Sequence, residues 1–154
     1  MVTFNSSEKK LIEHAKEAAV KFNKMRKSKG GIDTLYAFVM SYSGKIYDGA
    51  SFETTISNGV VCGEMQAIAN MVLNESYRAK VKCVAVADPV PKIQKSSSTP
   101  CGTCRHVIWE RGTHNTTVIC IQYMQKKDSW IFPKIEKYKI KNLYPHPYVQ
   151  VKWD

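Results

Sequence analysis

Apolar residues recur at helical spacing near the start of the chain: Leu11, Ala15, Ala18, Ala19 and Phe22 share one side of a helix opened by Ser6 or Ser7 with Glu8 behind. "KSKGG", ending in Gly30 and Gly31, stops it. "TLYAFVMSY" then reads as a strand, Ser43 and Gly44 as a tight turn, and "KIYDGASFE" as its hairpin partner. "CGEMQAIANMVLNE" returns to the helical period, with Ile68, Met71 and Val72 in one stripe. "VKCVAVAD" is nearly continuous in apolar residues, the pattern of a strand covered on both faces. After the loop "PVPKIQKSSSTP" comes a second such helix, "CGTCRHVIWERG", ended by Gly112, and then another buried strand, "TTVICIQY". A helix between two strands implies a parallel crossover. The tail "KIEKYKIKNLYPHPY" reads as a further helix or short helical turn leading to prolines. Together these elements predict an α/β fold: one mixed sheet, opening with an antiparallel hairpin, with helices on both faces.

No repeat, linker or composition break divides the 154 residues, so residues 1–154 are expected to form a single domain. Hydrophobic residues make up 44% and charged residues 23%, the balance of a globular protein, and no apolar run is long enough to cross a bilayer. "MVTFNSSEKKLIEHAKEAA" lacks the apolar centre of a signal peptide, which points to a cytoplasmic location. There the five cysteines stay as thiols, and close pairs read as metal-binding or catalytic. The formal charge of +10 suits a polyanionic partner, but the lysines are spread out, and a solvated surface accounts for them as well.

Cys101 and Cys104 lie three apart at a helix start, which places both sulfurs on one side, and Pro100 precedes them. Cys62 begins the other helix. Thiolates at helix N-termini gain from unpaired N–H groups and the positive dipole end, so two such termini aimed at one centre can deliver three thiolates to a metal. A structural zinc site closes four positions, whereas a catalytic one keeps a position open. Cys83 and Cys120 lie inside apolar strands and read as buried thiols. His106, two after Cys104, suits a place behind the ligands or in a substrate pocket. Glu64, two after Cys62, is within reach of the open position, where a carboxylate can take the proton of a metal-activated water.

Cys62-Gly63-Glu64 followed by Pro100-Cys101-Gly102-Thr103-Cys104-Arg105 resembles the signature of the zinc-dependent cytidine deaminase superfamily. "SGKIYDGASFE" is similar to the hairpin and substrate strand of the free-nucleoside members, and "NLYPHPY" to their closing segment; the likeness runs from about Thr34 to Tyr148. It implies a three-layer α/β/α fold with a mixed sheet of about five strands. It implies Zn²⁺ held by Cys62, Cys101 and Cys104, with Glu64 as proton shuttle and Ser51 and Glu53 on the sugar hydroxyls. Three thiolates outweigh Zn²⁺ by one charge. Arg105, beside Cys104, is therefore expected behind the ligands, hydrogen-bonded to a sulfur. The sequence departs from the family where Met65 replaces the usual arginine, a loss shared with blasticidin-S deaminase, and where Ser51 replaces asparagine.

The expected function is hydrolytic deamination of a cytosine nucleoside: cytidine, deoxycytidine or an analogue such as blasticidin S, in a cytoplasmic homotetramer of the pyrimidine-salvage type. The alternative, suggested by the charge, is a polynucleotide cytidine deaminase or RNA-binding relative. Against it, the motif begins with cysteine where the polynucleotide editors of the superfamily usually have histidine, and the chain is read as lacking an aromatic-rich basic stretch for stacking bases.

Overall fold

Asn5 opens the first helix, α1 (Ser6–Lys27), one position ahead of the expected serines. Its side chain accepts from Glu8 N at 2.9 Å while the Glu8 carboxylate accepts from Asn5 N at 3.0 Å, a reciprocal cap that satisfies two otherwise orphaned donors. The computed structural model describes residues 2–52 and 60–149. After α1 come β1 (Tyr36–Ser41), β2 (Ile46–Ala50), α2 (Gly63–Asn74), β3 (Val81–Pro89), α3 (Gly102–Arg111), β4 (Thr117–Lys126), β5 (Ser129–Lys139) and α4 (Ile140–Leu143). Gly44 makes the β1–β2 turn at φ +83°, a conformation that costs other residues strain.

The strands form one sheet in the order β2-β1-β3-β4-β5. β3 and β4 run parallel around α3; every other neighbouring pair is antiparallel. Alternation along each strand divides the interior in two. Tyr36, Phe38 and Met40, Cys83, Ala85 and Ala87, and Ile119, Ile121 and Tyr123 face α1, where Leu11, Ala15 and Ala19 cover them. Val39, Val84, Val86, Val118 and Cys120 face the other way, onto Ala67, Ile68 and Met71 of α2, Ile108 of α3 and Ile140 of α4. The result is the expected three-layer α/β/α arrangement with five strands. Each fully buried Leu, Ile or Met in it is worth about 1.5–3 kcal/mol. Burial pushes the Cys83 thiol up to about 11 and that of Cys120 to about 12, as befits two packed thiols.

The tail departs from its reading. Ser129–Lys139 is the fifth strand, and only Ile140–Leu143 is helical. Ile135 packs on the α1 side and Tyr138 on the other, a period of two among the charges of "KIEKYK". Pro133 is tolerated because β5 is an edge and the β4–β5 register shifts between Gln122 and Met124, beside it.

Glu8 joins the layers. It accepts from Thr117 Oγ1 at 3.0 Å and from Lys137 Nζ at 2.6 Å, tying α1 to β4 and β5.

Candidate functional site

Cys62 and Cys101 are the N-cap residues of α2 and α3; both have extended backbones, and neither helix has a side-chain cap. Ser51 Oγ takes the first N–H of α2, and the two cysteines sit at the positive ends of both helix dipoles. Cys104 follows one turn into α3 and is fully buried. The sulfurs of Cys62, Cys101 and Cys104 all lie within 4.8 Å of one another, and among the described residues they form the one cluster of three or more His, Cys, Asp or Glu side chains with such spacing. Cys62 Sγ and Cys101 Sγ are 3.7 Å apart. That is far beyond a disulfide, and it matches the ligand separation of about 3.8 Å set by tetrahedral zinc–sulfur bonds of about 2.3 Å. The donor set fits zinc.

The three thiols do not share one electrostatic setting. Burial, then the nearby Glu64 and the other two cysteines, push the Cys104 thiol far above the usual range. Burial likewise raises Cys62, with the Cys101 and Glu64 charges adding to it. Burial opposes ionisation of Cys101, but hydrogen bonds from the backbone and thiol of Cys104 and from Cys62 bring it below the ordinary thiol value. Three sulfurs this close ionise together when a cation sits among them. Glu64, 3% exposed, lies against the cluster, and its carboxylate accepts a hydrogen bond from the Cys104 thiol. Burial raises the Glu64 carboxyl above its ordinary value.

α2 is held at this place by β2. Gln66 Oε1 accepts from Ala50 N at 2.7 Å, and Asn70 Nδ2 donates to the Asp48 carbonyl at 3.0 Å. Ser51 Oγ accepts from Gly63 N at 3.2 Å, so the residue expected near a sugar also supports the turn that carries Cys62 and Glu64. Glu53 lies outside the described residues. Arg105 donates from Nε to the Pro100 carbonyl (2.7 Å), from Nη1 to the Leu143 carbonyl (3.1 Å) and from Nη2 to Thr99 Oγ1 (2.7 Å). Instead of the expected sulfur contact, it fastens the segment entering Cys101 to the end of α4. His106 packs against Trp109 and Tyr144, its Nδ1 3.3 Å from the tyrosine hydroxyl.

Ser51 also lines a cavity of about 580 Å³ with Arg26, Asp33, Thr34, Leu35 and Asp88. Its volume suits a small organic molecule. Two adjacent residues of β4 hold the loops beside it. The Tyr123 hydroxyl donates to the Thr34 carbonyl. On the opposite side, Gln122, fully buried, accepts from Gln94 N at 2.8 Å and donates from Nε2 to the Gln94 carbonyl and to Ser97 Oγ, both at 3.1 Å. Ser97 N donates to Glu136 at 2.8 Å, and the Ser98 hydroxyl to Asp88. Neither Gln122 nor Tyr123 was singled out from the sequence. A glutamine inside an apolar strand was the available signal, because a buried amide must find partners.

Residues 5–120 match the family model described as the cytidine and deoxycytidylate deaminase zinc-binding region. Among solved structures, the chain is similar to a cytidine deaminase from Burkholderia pseudomallei, with a TM-score of 0.61 and 19% identity over 86% of this chain and 98% of that one. It is also similar to the cytidine deaminase from Mycobacterium tuberculosis, with a TM-score of 0.54 and 16% identity over 76% and 80%. For the enzyme from Mycobacterium leprae the values are 0.52 and 14% over 84% and 97%. These likenesses are of fold. Comparison with curated protein sequences finds no match.

Proposed function

The chain belongs to the cytidine and deoxycytidylate deaminase family, and on that premise we propose that it is a hydrolase converting a free cytosine nucleoside and water to the uracil nucleoside and ammonia. The observation that carries this reading is the convergence of three thiols at two helix N-termini with a buried carboxylate against them. Cys62, Cys101 and Cys104 would hold the family's zinc, leaving one position open. When bound, zinc supplies Lewis acidity that brings the pKa of a water in that position towards about 7.

Glu64 then handles the protons. It would take one from the water and give it to N3 of the pyrimidine as C4 is attacked, then carry the proton of the new C4 hydroxyl to the departing amino group, the general chemistry of zinc deaminases. Its burial keeps bulk water from the carboxylate, so these protons move between reactants. The helix N-termini before Cys62 and Cys101 offset the excess negative charge of three thiolates. Arg105 serves the site by fixing the approach to Cys101.

The cavity that Ser51 lines is joined to the site through the hydrogen bond from Gly63 N to Ser51 Oγ, and it favours a nucleoside over a 5′-phosphorylated substrate. Asp33, paired with Lys27 at 3.2 Å, and Asp88 line it, and Arg26 donates Nε to the Ile32 carbonyl at 3.3 Å. Asp88 has no cationic partner among the described residues, so it opposes a phosphate and can accept from hydroxyls or amines. Ser51, its oxygen accepting from Gly63 N, retains its own proton for a sugar oxygen, and Glu53 is proposed as the second sugar contact. Cytidine, deoxycytidine and an analogue such as blasticidin S fall within this class.

A homotetramer is proposed as well. The outer surface of α2 and α3 carries Met65, Val72 and Val107 around a cleft of about 380 Å³, with Leu73 83% exposed beside it, an apolar face suited to a second copy. A cytoplasmic role in pyrimidine salvage is proposed too. Among the described residues no helix is long and apolar enough to cross a membrane.

The test is ammonia release from cytidine, deoxycytidine, deoxycytidylate, blasticidin S and a short single-stranded oligonucleotide, with Glu64→Ala alongside. We expect turnover of nucleosides but not of deoxycytidylate, lowered by at least about 10²-fold in the variant. Turnover of the oligonucleotide alone would make the chain a polynucleotide deaminase instead.

A further inference from the structure

Half of the net charge of +10 lies in α1 and the turn that follows it. From Ser6 to Lys29 the chain carries eight lysines and arginines against three glutamates. Two of those glutamates are engaged: Glu8 is buried against Lys137, and Glu13 pairs with Lys16. Lys21 and Lys24 are exposed and have no acidic partner among the described residues. Both lean over a groove of about 610 Å³ between α1 and β5, whose lining also includes Lys16, Glu17, Val20 and Phe132. Phe132 is only half-buried, because α1 packs over β1 and β3 and leaves β5 beside it. One helical turn further on, Lys27 stands 5.3 Å from the ring centre of Trp130, the next aromatic along β5.

Trp130 and Phe132 already stand among lysines in the sequence of β5, and folding adds a second basic row by bringing them alongside the lysines of α1. Lysines flanking an aromatic floor are the two elements that single strands require: cations for successive phosphates and a flat apolar face for a base. The groove lies on the α1 side of the sheet, whereas the thiol cluster caps helices on the other. We propose that the α1–β5 groove is a second binding site, for single-stranded nucleic acid, which holds the polymer without presenting it to the thiol cluster. Lys16 and Lys27 are ion-paired with Glu13 and Asp33, so Lys21 and Lys24, one helical turn apart, are the lysines that would meet two successive phosphates. A lipid surface is the poorer occupant, since Phe132 is half-buried against the core and leaves little apolar area to insert.

The test is fluorescence anisotropy of a labelled 12-nucleotide RNA with the zinc-loaded full chain over a range of salt, in the wild type, Lys21→Gln/Lys24→Gln and Phe132→Leu. Leucine keeps the apolar contact with the core but removes the π face. The wild type should bind with a log–log salt slope of about −2 to −3, and loss of two phosphate contacts should reduce its size by about 1.4. Phe132→Leu should weaken binding about tenfold at an unchanged slope. Saturating cytidine should displace nothing. The proposal is overturned by no binding at low salt, by binding that the variants leave unaltered, by displacement with cytidine, or by preferential binding to phosphatidylserine vesicles that Phe132→Leu does not affect. None of these readouts depends on deaminase turnover.

Discussion

Gly49 is where β2 and the first turn of α2 meet, and its replacement by alanine tests how the site is held. A Cβ at this position would lie 2.0 Å from the Gly63 carbonyl oxygen and 2.7 Å from Ala67 N. Both are backbone atoms, so no side-chain rotation relieves the clash. Gly49 is not among the positive-φ residues, and its requirement is for space alone. Restoring ordinary contact requires the strand and helix to part by more than about 1 Å. Adding a methyl group to a packed core costs about 1–3 kcal/mol, and a backbone-bounded position sits at the upper end. At about 2–4 °C per kcal/mol for a chain of this size, 3 kcal/mol lowers Tm by about 6–12 °C. Because the displaced turn carries Cys62 and Glu64, zinc retained after dialysis should fall with it. Gly102→Ala is the control: nothing lies within 4 Å of its Cβ, and it occupies the first turn of α3 beside Cys101. That variant should match or slightly exceed wild-type Tm. Thermal unfolding at fixed protein and zinc concentration gives the answer. A Gly49→Ala Tm within about 2 °C of wild type would refute the packing argument.

Tyr123→Phe removes only the hydroxyl that holds the Thr34 carbonyl at the cavity, so KM for cytidine should rise several-fold with kcat and zinc content nearly unchanged; an unaltered KM contradicts that role. Gln122→Leu leaves Gln94 N and the Gln94 carbonyl without their partner, at a cost of about 1–3 kcal/mol, and hydrogen exchange should quicken across residues 94–97. Burial raises the Glu8 carboxyl, but hydrogen bonds from Lys137, Asn5 N and Thr117 outweigh it and hold the group below its ordinary value of 4.5. A depressed carboxyl stabilises the fold above that value and loses the contribution as pH falls through the lower folded pKa. Glu8→Gln should therefore be less stable at pH 7 and show a flatter loss of stability below about pH 5, followed by denaturant unfolding across pH.

The site was legible because its chemistry sits in two short segments. The spacing of Cys101 and Cys104, the helix starts and Glu64 two residues after Cys62 all follow from local pattern, and the fold brings the thiols and Glu64 together. The hairpin, both crossover strands and α1 to α3 were legible for the same reason: their apolar periods are long and unbroken. β5 was not. Its alternation is obscured by Pro133 and by lysines that an edge strand can carry, and only pairing with β4 makes it a strand. Arg105 was misdirected because sequence places it beside a ligand but cannot show that Pro100, Thr99 and Leu143 offer it three better-placed oxygens. The α1–β5 groove joins residues more than a hundred positions apart, a distance over which no window of sequence reports.

The central claim is that three thiolates hold the zinc and leave one position to a lighter atom. Zinc K-edge absorption on the zinc-loaded chain measures that shell directly. The account predicts three sulfurs at about 2.3 Å and one oxygen or nitrogen at about 2.0 Å. A shell of four sulfurs, sealed by another cysteine, would contradict it.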